Sequence, residues 1–144
     1  MLLGRTWPSR ETTNAPDMDL TGMQPDAGDL QWVNEQIGHA AARIVGIAAR
    51  RVDGRPSVII NHPLIETPSR IAPFPTLYWL VCPDHMRAVS RLEMDGLISE
   101  LEQQMQEDTA LSAAMDQAHQ RYIDSRLSLL NAEQQREARR RGLF

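Results

Sequence analysis

The chain has 144 residues, a formal charge of −4 and 42% apolar residues, a length that suits one domain with or without a tail. All 15 basic residues are arginine, which excludes Schiff-base chemistry and a P-loop lysine within this chain. The single cysteine excludes an internal disulfide, and the acidic balance with 5% aromatics speaks against nucleic acid as partner.

Residues 1–28 hold Pro8, Pro16 and Pro25, no sustained apolar period and a net charge of −2, so a disordered tail is expected. No apolar stretch of signal-peptide or membrane-helix length follows Met1, and a cytoplasmic protein without membrane insertion is the expectation. The domain itself is expected over 29–131. Asp29 can cap a helix that places Leu30, Val33 and Ile37 on one face and stops at Gly38. The apolar run from Ile44 to Ala49, the Asp53-Gly54 turn and Ser57 to Asn61 predict a hairpin with strands near 43–51 and 56–61. Residues 62–75 carry four prolines and read as a long loop. Thr76 to Cys82 is the strongest strand signal and is expected at the sheet centre. Its alternation puts Tyr78, Leu80 and Cys82 on one side, expected to be covered, and Leu77, Trp79 and Val81 on the other.

Pro83 and Asp84 open a helix whose apolar face runs through Val89, Leu92, Leu97, Leu101 and Met105, with Gly96 inside it. Asp108 or Thr109 caps a second helix through Leu111, Met115, Tyr122 and Leu129. The basic stretch 132–144 reads as a helix end complementing the macrodipole. The predicted fold is α+β: a three-stranded, mainly antiparallel sheet, with an N-terminal helix and a C-terminal two-helix hairpin packed on one face.

Pro73-Phe74-Pro75-Thr76-Leu77-Tyr78-Trp79-Leu80-Val81-Cys82-Pro83, followed by Val89-Ser90-Arg91-Leu92-Glu93 and Gly96, resembles the bacterial domain of unknown function 501 family. Members of that family carry a similar Pro-Phe-Pro-Thr-Leu-Tyr-Tyr strand and a Val-Ser-Arg-Leu-Glu helix, and the likeness extends more loosely from about residue 30 to residue 130. The resemblance implies the α+β domain just read and brings no activity with it. It implies a cell-division or polyphosphate context, because relatives are encoded near such genes. Relatives carry Cys-x-Cys-Gly in the hairpin turn, where this chain has Arg51-Val52-Asp53-Gly54, so a metal or cluster site of theirs does not carry over.

Chemistry-bearing residues are few. Cys82, the only thiol, sits where a strand feeds a helix N-terminus, with His62 and His85 as candidate bases. His39, His62, His85 and His119 have no metal-ligand spacing, so no metal and no cofactor are expected. Arg70 in the proline-rich loop, with Arg87 and Arg91 four residues apart on one helix face, is the candidate anion site. The competing reading pairs Arg70 or Arg91 with Glu93 to pin the loop. Two functions follow. The favoured one is a non-catalytic interaction or regulatory module with a protein partner. The alternative is a small-molecule or anion-binding enzyme near Arg70, Cys82, His85 and Arg91.

Overall fold

The computed structural model describes residues 19–38 and 43–143. Residues 1–18, most of the expected tail, lie outside the described residues, as does His39. Helix α1 (Ala27–Ile37) begins with a reciprocal capping box: Asp26 Oδ1 accepts from Asp29 N at 2.8 Å and Asp29 Oδ2 accepts from Asp26 N at 3.1 Å. The cap is therefore Asp26, not Asp29. Asp29 is turned to a further task, a two-pronged pairing with Arg50 at 2.7 Å per contact. Gly38, with φ of 84°, closes the helix and donates to Asn34 O.

Strands β1 (Ile44–Arg50) and β2 (Pro56–Asn61) form the expected antiparallel hairpin. β5 (Tyr78–Leu80) pairs antiparallel with the other edge of β2, with Ile59 opposite Trp79, so the sheet order is β1-β2-β5. The segment expected at the centre is thus an edge, and β2 is the central strand. Its apolar character serves a cover of another kind: Leu77 N donates to Tyr122 Oη at 2.7 Å, a helix residue in place of a further strand. Of the side expected to be covered, Cys82 is buried and Leu80 half-buried, but Tyr78 is not, and the opposite side carries more of the core. Leu77 and Val81 are buried and Trp79 packs against the core, whereas Tyr78 is exposed.

The proline-rich stretch 62–75 contains a second hairpin, β3 (Leu64–Thr67) and β4 (Arg70–Pro73). Its prolines stand beside the ladder: Pro63 precedes β3, Pro68 lies in the turn and Pro73 ends β4. The first predicted long helix is two, α2 (Pro83–Met94) and α3 (Leu97–Glu107), because Gly96 takes φ of 90° and breaks the backbone. α4 (Thr109–Ser128) follows, capped by Asp108. The basic C-terminal stretch forms its own helix α5 (Ala132–Arg140), capped by Asn131.

The fold is α+β with a small antiparallel sheet. Val33, Ile47, Ile59 and Val81 form one core cluster, between α1 and the sheet. Leu64, Leu130 and Ala138 form a second, where the β3–β4 hairpin meets the end of α4 and α5. Residues ahead of α1 also pack. Ile47 N donates to Met23 O at 2.7 Å, and a Cβ on Gly46 would stand 3.2 Å from Ile60 Cδ1 and 3.4 Å from Leu20 Cδ2. Glycine at position 46 is what lets residues 20–23 cross the sheet edge.

Candidate functional site

The end of β5 delivers Cys82 to the N-terminus of α2, where the thiol is fully buried. The β1–β2 turn delivers Arg51 to the same corner, and its Nη1 lies 3.3 Å from Cys82 Sγ and 3.2 Å from Asp84 Oδ2. Asp53 pairs with the other side of the guanidinium at 3.2 Å. Burial pushes the Cys82 thiol up, but the backbone N–H groups of His85 and Asp84, together with the Arg51 guanidinium, outweigh it. The net direction is below the ordinary thiol value. Beside it, Ser57 Oγ and His85 Nδ1 share a hydrogen bond of 2.7 Å. Ser57 is buried and its carbonyl accepts from Val81 N, so the His85 ring is tied to the sheet.

This corner can hold a thiolate, but Cys82 has no exposed surface, and nucleophilic chemistry needs an accessible sulfur. Cys82 and His85 do meet at this corner. His62 lies beyond the far end of β2, about 16 Å along the strand from Ser57 at about 3.3 Å per residue. Its Nδ1 is engaged with Leu64 N and O. Arg51 and Ser57 were not singled out from sequence. Only the Asp53-Gly54 turn signal, which fixes where Arg51 returns, pointed toward them.

The expected arginine site is divided. Arg70 lies at the β3–β4 tip, where Thr67 Oγ1 donates to its carbonyl, in a hairpin tied to α5 by a Gln134–Glu66 bond. Arg87 and Arg91 lie on α2, with Arg87 paired to Asp84. Glu93 enters no ion pair among the described residues, so the pairing expected to pin the loop is not formed. Arg126 instead ties the loop to α4 by donating to Phe74 O at 2.6 Å. Among the described residues no group of three or more His, Cys, Asp or Glu is placed to hold a metal ion.

A larger feature lies on α2 and α3. Neither helix buries a single residue. Of the apolar face read from sequence, Val89, Leu92 and Leu101 are 43, 50 and 40% exposed, as is Ile98 beside it at 53%, whereas Leu97 and Met105 are half-buried. Met86, Arg87, Arg91 and Met94 line an open groove of about 520 Å³ beside α1, floored by Val81 and Pro83. Between Arg91 and Arg121 the chain carries seven Asp and Glu and no Arg or Lys. The sequence-matched span of the protein of unknown function family, DUF501, is residues 47–143, which includes this whole arm, the thiol corner, the β3–β4 hairpin and the β1–β2 hairpin from Ile47 on.

The chain belongs to the DUF501 family. Both the Pro-rich hairpin and the α2–α3 arm are thus parts of the DUF501 domain, and α1 precedes the matched span. No curated protein and no solved structure matches the chain. Among the described residues of this DUF501 protein no helix is long and apolar enough to cross a membrane.

Proposed function

We propose that this DUF501 protein is a non-catalytic interaction module of the bacterial cytoplasm, docking a protein partner on its α2–α3 arm. The observation that carries the reading is the apolar row Val89, Leu92, Ile98 and Leu101, left in water on two helices that bury nothing of their own. A helix exposing its apolar face forgoes about 25 cal/mol for each Å² left in water, and contiguous exposed apolar surface marks an interaction site. The free, buried Cys82 thiol suits a reducing compartment.

The test is site-specific photocrosslinking in cells. A benzophenone amino acid at position 92 or 98 is expected to give a discrete higher-mass species. The same group at position 52, on the exposed hairpin turn, is the control. Crosslinking at 52 equal to that at 92 and 98, or none at any of them, overturns the reading.

A second reading, a thiol-centred anion-binding enzyme, draws support from Arg51 and the backbone N–H groups around Cys82. It requires an opening at the β1–β2 turn, because the sulfur is covered.

A further inference from the structure

Resting on the interaction-module reading, we infer that the partner on the arm is a second copy of this chain. Each copy would lay its α3 helix in the α1–α2 groove of the other.

The two surfaces complement each other in polarity and in charge. The groove is apolar at its floor, through Val81, Pro83, Met86 and Met94, and carries Arg87 and Arg91 at its rim. α3 offers Ile98 and Leu101 and carries Glu102 beside them, one turn on from Ile98. Methionine side chains fit an irregular apolar surface, because they are unbranched and polarizable. Arg87 is already paired within its own helix, but Arg91 enters no ion pair among the described residues, and neither does Glu102. Opposite charges thus stand unmatched on consecutive elements of one chain.

Their order along the chain supplies the symmetry. Groove and α3 are joined through the Asp95-Gly96 elbow, so a two-fold axis near that elbow sets each α3 over the partner's groove. Such an isologous contact uses the same patch twice and closes at two subunits. A foreign cationic protein would satisfy the acids of α3, yet it would leave Arg91 facing like charge. A second copy satisfies both.

The experiment is light scattering on the full chain, with charge reversals. A mass twice the 16.3 kDa of the chain is expected, weakening as salt is raised. R91E alone should weaken association about tenfold or more, as should E102R alone, because each sets like charges opposite one another. Mixing the two variants should restore a one-to-one heterodimer, since each groove then meets an arm of opposite sign. Both positions are exposed, and circular dichroism checks that each variant is folded. A chain that stays at monomer mass overturns the inference, as does a mixture that fails to recover the dimer or single variants that dimerise normally. Monomer mass together with a crosslink from position 92 or 98 to a different protein leaves the interaction module standing and removes only the second copy. Monomer mass without any crosslink removes both.

Discussion

Asp29 accepts from the Asp26 backbone inside α1 and from both terminal nitrogens of Arg50 on β1, while staying almost fully buried. The Arg50 hydrogen bond, acting against burial, holds its carboxyl below the ordinary value. Its contribution to stability is therefore complete above the unfolded value of about 3.9 and is lost as pH falls through the lower folded value. Asp29→Asn should cost about 1.5–3 kcal/mol near neutral pH, the range for hydrogen bonds to charged groups. The difference from wild type should shrink on acidification below pH ~4. Equal urea midpoints at neutral pH would show that the pair contributes nothing. Cys82 offers a second test at this scale. Iodoacetamide should label it slowly in the native state and fast in denaturant, because the sulfur is covered. Arg51→Ala removes a cation 3.3 Å from the sulfur, so the pH midpoint of native labelling should move up; an unchanged midpoint would show that Arg51 does not touch the titration. Local spacing showed that α1 would start near 29 and stop at Gly38, and that Cys82 would sit at a helix N-terminus. Arg50 and Arg51 reach their partners across 21 and 31 residues, and no spacing rule carries that information.

Secondary elements were legible where one local signal dominated, as in the β1–β2 hairpin with its Asp53-Gly54 turn. Two signals conflicted at 83–107. The apolar period of α2 continues in step through Gly96 into α3, and periodicity alone reads one helix. The backbone conformation at Gly96, φ of 90°, decides otherwise. Gly96→Ala distinguishes the two physically. In a continuous helix it would stabilise by about 1 kcal/mol. At an elbow that needs positive φ it strains the backbone, and a lower Tm is expected. A rise in Tm would restore the single helix. Prolines misled in the opposite sense at 62–75. They suggested a loop, but Pro63, Pro68 and Pro73 fall at an end or turn of β3–β4, where a ladder tolerates them, and Pro75 lies beyond it. The apolar stripe of α2 and α3 was equally visible and was read as core; periodicity locates an apolar face without saying what covers it.

Across the whole molecule, the sheet with α1 and the second hairpin with the end of α4 and α5 hold the two core clusters, and no residue of the α2–α3 arm belongs to either. The stretch before α1 belongs with the sheet. A chain beginning at Asp19 and one beginning at Asp26 differ by the Met23–Ile47 bond and by the Leu20 contact above Gly46 and Ile60. The shorter chain should melt lower, since Ile60 loses cover and Ile47 N loses its acceptor; coincident melting curves would assign 19–25 to the tail that composition suggested. The composition of the arm has a further consequence, for how the protein is digested. Trypsin cuts after lysine or arginine, and from Leu92 to Gln120 there is neither. However often the arm unfolds by itself, trypsin leaves that stretch as one piece, and its digestion pattern will look like that of a resistant core. A protease that cuts after glutamate meets Glu93, Glu100, Glu102 and Glu107 in the same stretch. It should open the chain there first, and more slowly as protein concentration rises and the arms become covered.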